Sequence, residues 1–427
     1  MSILNAMYSG ASGLQAEGDA LGVIGDNVSN TSTIGFKESR AVFENVLGGA
    51  IGDPHATGAG VRMQKAQQIF AQGSLTTTGN PTDLALSGDG FFVVKGTVDG
   101  TTGNFYTRNG ETTLNKSGTL VNPDGLAMEG YASNGDGTFS STLGDITVPT
   151  AALSPKPTAT MNVTANLDAT TTTPAAPWDP QNPAATSNFS TSMQVYDSLG
   201  TAHSVDVYFR NDGAGNWEAH AMASGSDVTG GTPGKNTEIG TGTVTFNSSG
   251  ALSSVAMSPA AVTFNGAKAQ SIAFNFGTSI AAGGTGLGGM TQFGSASNVS
   301  AQSQDGYSSG SLTGVTVDAN GVVDGNYSNG QTIAVAQIAV AKFQSNDGLG
   351  KAGHNLWTAT NESGVAAIGS AGSGGRAAVV SGAIEQSNVD ISTQFVDLIS
   401  HQRSFQANSK TITTADQMLQ DVINMKQ

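Results

Sequence analysis

The sequence predicts a mixed, mainly β fold: nested domains of antiparallel sheet or barrel type, with a coiled-coil-like layer made from the N- and C-terminal helices. Three observations carry that expectation. Charged residues are 11% of the chain, against about 25% in an ordinary soluble domain. Glycine supplies 58 of 427 residues, about twice its usual ~7% share. Apolar heptads occur only at the two ends, and the middle consists of short strand-like runs separated by Asn-Gly, Asp-Gly and Ser-Gly turns.

At the C-terminal end Ile391, Leu398, Phe405, Ile412 and Leu419 fall seven apart. Phe395 and Ile423 hold the companion position at the two extremes, with Gln402, Ser409 and Asp416 between them. A helix from Asn388 to Met425 would be roughly 55 Å long. Its apolar stripe is narrow, closer to a coiled-coil seam than to a globular core face.

At the N-terminal end Met7, Leu14, Leu21 and Val28 are also seven apart, with Leu4, Ala11, Gly18 and Gly25 as companions. Gly10, Gly13, Gly18, Gly22 and Gly25 lie in the same stretch, and at about 1 kcal/mol each they weaken the helix by on the order of 5 kcal/mol. This helix therefore needs a partner, either the C-terminal helix or copies of itself, and is expected to lack one in the monomer. Two coiled-coil-like ends on one chain point to a polymer.

Between the ends, Phe91 to Val94 reads as a short buried strand. A meander of hairpins is expected to follow, with turns at Asn109-Gly110, Lys116-Ser117-Gly118 and Pro123-Asp124-Gly125. A second block runs from Met193 through Ser198-Leu199-Gly200 and Asn211-Asp212-Gly213 to Met222, and a third from Leu312 to Phe343. Residues 154–192 hold six prolines and Thr170 to Thr173, and are expected to form a linker or extended edge chain. The Gly/Ala/Ser-rich stretch 280–297 is expected to be the return crossing of an inserted domain.

Composition excludes several function classes. A formal charge of −15 with sparse, scattered Lys and Arg disfavours nucleic acid. Zero cysteine removes disulfides and thiolate metal sites. No apolar run approaches ~18 residues, so no membrane-spanning helix is expected. The first basic residue is Lys37, so a cleaved signal peptide with a basic n-region is not expected either. His55, His203, His220, His354 and His401 show no helical ligand spacing. Gly284, Gly286 and Gly289 match G-x-G-x-x-G, but outside the strand-turn-helix context that gives the motif meaning. No carboxylate pair or nucleophile–base pair is signalled, so no enzyme, cofactor or metal site is expected. The rival from another class is a secreted β-rich adhesin or glycan-active enzyme.

The ends carry a specific resemblance. Ser12 to Ala16, Val23 to Asn30 and Thr33 to Lys37 resemble the N-terminal signature of bacterial flagellar rod and hook axial proteins. Asp26-Asn27 stands where that family usually has two asparagines. Gly73 to Leu75, Thr78 to Leu86, Gly88 to Val94 and Tyr106 to Gly110 are similar to the family's next block, and Ser387 to Asp390 with Gln402 to Lys410 to its C-terminal signature. An acidic residue is common there where Gln394 stands. Tyr327 to Thr332, Ala336 to Ala339 and Gly348-Leu349 resemble the hook branch rather than the shorter distal rod branch, which remains the alternative.

The resemblance implies a terminal helical inner-tube domain from 1–33 and 388–427, and a connecting extended segment from 34–72 and 361–387. It further implies an inner β-domain from 73–148 and 299–360, with an inserted outer β-domain at 149–298. It implies a curved tubular universal joint that passes motor torque from rod to filament. The implied partners are further copies of the chain, the distal rod protein, the hook cap and hook–filament junction proteins, and the flagellar type III export apparatus. No nucleic acid or membrane insertion is implied, and the location is extracellular, at the flagellar hook and basal body. Expected assembly residues are Met7, Leu14, Leu21, Ile24, Asn27, Val28 and Asn30 on the first helix, and Ile391, Phe395, Leu398, Arg403, Phe405, Ile412 and Leu419 on the last. The family signature falls on Gly35, Phe36, Lys37, Gly79, Asn80, Asp83, Gly90, Phe91, Phe92, Ser387, Asn388, Val389 and Asp390.

Overall fold

The computed structural model describes residues 3–47 and 58–425. Residues 48–57 of the expected connecting segment 34–72 therefore lie outside the described residues, as do the outermost residues of the terminal layer. The chain forms two compact units: one from 1–150, 314–326 and 332–427, the other from 151–313 and 327–331.

In the first unit, the end helices run from Ile3 to Ser29 and from Ile391 to Asn424. The second starts where Asp390 caps it: the carboxylate accepts from Ser392 N at 2.8 Å and Thr393 N at 3.4 Å, relieving two of the otherwise unpaired first-turn donors. The first ends as Asn30 N bonds back to the carbonyls of Asp26 and Asn27. Gly35, with φ +68°, then turns the chain away. A Cβ at this position would lie 2.6 Å from Asn109 N, so only glycine fits. Next comes an antiparallel pair, Ser39–Leu47 with Gly58–Gln68, which lies along the N-terminal helix.

The rest of this unit is sheet. Phe91–Val98 pairs with Thr101–Thr107 through a two-residue Asp99-Gly100 turn, both residues at positive φ as the right-handed strand twist favours. Thr332–Lys342 lies antiparallel to Phe91–Val98 and to Ala127–Ser133. The expected hairpin at Asn109-Gly110 does not form: Thr101–Thr107 pairs with Leu356–Thr358, and Thr113–Leu114 pairs with Leu120–Val121. Gly110 instead lets the backbone pass Leu84 O, which would sit 1.7 Å from any Cβ there. Phe91 to Val94 is buried on both faces, as the uninterrupted apolar run predicts. Its core is aromatic: Phe70, Phe91, Tyr106, Phe343 and Trp357 meet edge to face, with centroids 4.7–5.9 Å apart.

The second unit packs two five-stranded sheets over one core. The first is a meander of Phe189–Tyr196, Ala202–Gly213, Asn216–Ser224, Asn236–Phe246 and Leu252–Met257. Alternation decides its inner face: Val205, Val207 and Phe209 point in, while Asp206 and Tyr208 point out. The second sheet corrects two expectations. Thr160–Asp168, inside the supposed linker, pairs in parallel with Gln270–Asn275 and Thr291–Phe293 and antiparallel with Asn298–Gln304. Its Met161, Val163 and Leu167 are core residues. The supposed crossing 280–297 contributes the strand Thr291–Phe293 and the buried Met290. Its glycines make close backbone contacts, Gly289 against Phe276 O and Gly286 against Leu252 O, rather than a phosphate cradle.

Candidate functional site

The residues singled out by sequence converge on the terminal-helix layer. The structure places them differently from the heptad expectation. On the N-terminal helix the buried stripe is Gly10, Gly13, Ala16, Ala20, Ile24 and Asn27. Met7, Leu14, Leu21 and Val28 flank it and are half-buried, and so is Asn30. The large residues are shoulders and the small ones are the seam, because the two helices approach closely. A Cβ at Gly10 would lie 2.9 Å from Ile412 Cγ1, and one at Gly13 would lie 2.6 Å from Asn408 Nδ2. Gly18, Gly22 and Gly25 have nothing within 4 Å of a Cβ.

The C-terminal helix turns Gln394, Leu398, His401, Ser404, Asn408, Ile412, Ala415 and Leu419 toward the molecule. Of the expected seam, only Leu398, Ile412 and Leu419 share that face. Ile391, Phe395 and Phe405 are 48%, 51% and 40% exposed. Ile399 and Ile423 join them along one side of the helix, while Val396, Met418 and Val422 are exposed on other faces. Arg403 is also exposed. The single expected stripe is therefore two: one used within the chain, and an outer apolar one with no cover among the described residues. The N-terminal helix finds its partner in its own chain, which corrects the expectation that both ends lack one in the monomer.

Polar contacts fix the register of this layer. Asn27 clamps the backbone of Ser39, donating to its carbonyl and accepting from its N–H, each at 2.8 Å. It also donates to Gln394 Oε1 at 3.0 Å. Gln394 thus occupies its family position as a neutral acceptor, while Asn30 binds the Asp26 carboxylate at 3.0 Å. His401 Nδ1 meets Glu17 Oε2 at 2.5 Å farther along the helices.

Below the helices lies a buried ionic knot. Lys37 Nζ stands 2.6 Å from Glu385 Oε1 with both side chains fully buried, and Arg108 Nη1 stands 3.2 Å from Glu385 Oε2. Lys37 also donates to Ala71 O at 2.7 Å, Gly73 N donates to Glu385, and Arg108 donates to Gly88 O. Burial lowers the Lys37 pKa, outweighing the opposing pull of the Glu385 carboxylate. Sequence reasoning flagged Lys37 only through the family signature, and missed Glu385 as its partner. Nothing local marks two residues 348 positions apart as a pair.

The other signature residues hold loops around this knot. Asn388 accepts from Glu38 N and donates to Ile69 O and Ala71 O. Asp390 caps its helix, and Val389 N is bonded to Ser387 Oγ. Gly79 takes φ +76°, and Asn80 donates to the Asp83 carboxylate. Gly90 takes φ +144° where Val340 would strike a Cβ, and Phe91 and Phe92 are core. Phe36 is half-buried between Thr33 and Asn388. His203 and His220, on adjacent strands of the second unit, each pair with a carboxylate and stack on an aromatic ring. No metal-binding cluster of His, Asp or Glu is found among the described residues.

Comparison with known proteins covers the whole chain. Residues 7–37 match the family "Flagella basal body rod protein", and 85–166 match "Flagellar hook protein FlgE/F/G D1 domain". Residues 166–307 match "Flagellar basal body protein FlaE D2 domain", and 380–425 match "Flagellar basal body rod FlgEFG protein C-terminal". The chain is 36% identical to the Escherichia coli (strain K12) flagellar hook protein FlgE, covering 99% of this chain and 100% of that one. It is 32% identical to the Treponema pallidum (strain Nichols) flagellar hook protein FlgE, again over 99% and 100%. The fold resembles the crystal structure of Helicobacter pylori flagellar hook protein FlgE2, with a TM-score of 0.52 at 16% identity, covering 71% of this chain and 98% of that one.

Proposed function

The chain belongs to the flagellar hook protein family and is a structural subunit of the hook; on that premise we propose that its terminal-helix layer drives self-assembly into a curved tube that transmits torque. The observation that carries this reading is the outer stripe of the C-terminal helix. Ile391, Phe395, Ile399, Phe405 and Ile423 are large, apolar and exposed. Burying each is worth about 1.5–3 kcal/mol. In a polymer that gain recurs in every subunit. The full-length matches are to hook proteins, which does not favour the distal-rod alternative.

The finer reading has the terminal helices as inner tube wall (1–33 and 388–427) and 34–72 with 361–387 as connector. The inner β-domain is 73–148 with 299–360, and 149–298 is the outer domain. The distal rod, hook cap and hook–filament junction proteins meet the two tube ends, and the subunit leaves the cell through the type III apparatus without cleavage. The test is Phe405→Asp. A charge on the outer stripe must be desolvated without a partner on assembly, but not in the monomer. The expected outcome is an unchanged monomer melt with no polymer after salting-out and no motility. A variant that still builds tubes removes the outer stripe from assembly.

A further inference from the structure

The arginines of this acidic chain are nearly all occupied. Of its six arginines, Arg40, Arg62, Arg108, Arg210 and Arg376 each make a hydrogen bond or ion pair. Arg403 makes none among the described residues, and it stands exposed on the C-terminal helix. No acidic side chain lies three or four residues from it on its own helix.

A second feature of the same unit is unfilled. Where the N-terminal helix ends, a cavity of about 500 Å³ opens against the β-sheet loops. Asp26, Glu111 and Asp124 line it. The bases on its wall are engaged: Lys37 with Glu385, Lys351 with Ser39 Oγ, and His354 with Asp124. Trp357 also lines it, is 3% exposed, and its Nε1–H has no partner among the described residues. A buried donor of this kind lacks an acceptor. The cavity therefore suits a group that brings a cation together with a carbonyl oxygen.

We propose that Arg403 of one copy seats in the Asp26–Glu111–Asp124 cavity of a neighbouring copy, with an amide oxygen of the flanking Gln402 or Gln406 available to Trp357. The pairing is intermolecular for a geometric reason. His401 meets Glu17 and Asn408 lies against Gly13, so Arg403 stands level with about Ala16. Asp26 is ten residues farther along, about 15 Å at the helical rise, beyond the reach of one side chain. A neighbouring copy displaced along the axis by about that distance would bring its guanidinium level with Asp26. Arginine suits this place because its planar fork binds carboxylates bidentately and is more weakly hydrated than an ammonium group.

This inference rests on the self-assembly reading, and the experiment separates the two. Critical concentrations for polymerisation are measured for wild type, Arg403→Ala, the cavity variant Asp26→Asn/Glu111→Gln/Asp124→Asn, and their combination, each checked for native circular dichroism. Each change alone is expected to raise the critical concentration about tenfold, and the combination no further, because both remove one interaction. Effects that multiply in the combination, or an Arg403→Ala that polymerises like wild type, overturn the pairing and leave self-assembly standing. A wild type that forms no polymer overturns the self-assembly reading itself.

Discussion

The second unit and the terminal-helix layer of the first solve the same burial problem in opposite ways. The second unit hides Trp217, Phe209, Phe264 and Phe276 almost completely between its two sheets. Its core is finished by its own residues. The helix layer buries glycine and alanine, and leaves its largest apolar side chains outside. One region is complete in a single chain; the other leaves large apolar side chains exposed, which on the reading proposed above further copies cover. Hydrophobic content alone does not separate them, since both are rich in apolar residues. What separates them is which side chains the packing selects.

The largest expected effect tests the completeness of the second unit. Trp217→Ala should cost about 3–5 kcal/mol through the cavity it leaves, melting that unit early while the helix layer keeps its hydrogen-exchange protection. Loss of protection in both regions at once would erase the contrast. Next in size is the ionic knot. Glu385→Gln leaves Lys37 and Arg108 buried without a counter-charge, and breaking such a pair costs on the order of 3 kcal/mol. Denaturant unfolding should show that loss in the first unit, and an unchanged midpoint would mean that the knot contributes nothing net.

A smaller effect sharpens the glycine argument. Gly22→Ala adds a Cβ into open space and should stabilise the monomer by about 1 kcal/mol through helix propensity. Gly10→Ala pushes against Ile412 and should destabilise by about 1 kcal/mol. Equal shifts of the same sign in thermal melts would show that helix spacing is not set by these positions.

The smallest effect is one of pH. In the first unit burial raises the Glu129 and Glu38 carboxyls above the usual glutamate range, with Asp397 and Asp390 adding to the rise at Glu38. A raised carboxyl binds more protons folded than unfolded, so stability should rise as pH falls from neutral through its folded pKa. In the second unit burial pushes Asp197 and Asp305 upward. Bonds from Thr201 N and His203 at Asp197, and from Thr160 N and Lys156 at Asp305, more than offset it and hold both below the usual aspartate range. Their stabilisation is present above the ordinary aspartate pKa of about 3.9 and is lost as pH falls through the folded values. Calorimetry from neutral to strongly acid pH should therefore move the two units in opposite directions, and parallel shifts would break the distinction.

The fold class was legible in the sequence because strand alternation and turn residues are local signals. The meander from Phe189 to Met257 follows its Asp-Ser-Leu-Gly and Asn-Asp-Gly turns. Thr160–Asp168 was not legible: it sits among prolines and threonines, and its pairing partners are more than a hundred residues away. The Asp99-Gly100 hairpin carried a readable signal that the expected turn at Asn109 displaced. For the candidate site, the heptads located both helices but chose the wrong face of the first, because a reading that follows large apolar residues cannot see a seam built from small ones. The departure at Gln394 becomes intelligible only beside Asn27 and Glu38, which no spacing connects to it.

The Lys37–Glu385 pair also sets an order of events. A chain made from its N-terminus produces Lys37 early and its counter-charge only 348 residues later. Through that interval the ammonium group has no reason to leave water, because an unpaired buried ion is heavily penalised. The segment behind the first helix therefore cannot settle into its final seat while the chain is incomplete. Arrival of Glu385, six residues before the last helix begins, is the event that lets both ends lock together. The same pair that holds the finished layer in place thus acts as a clock on its making.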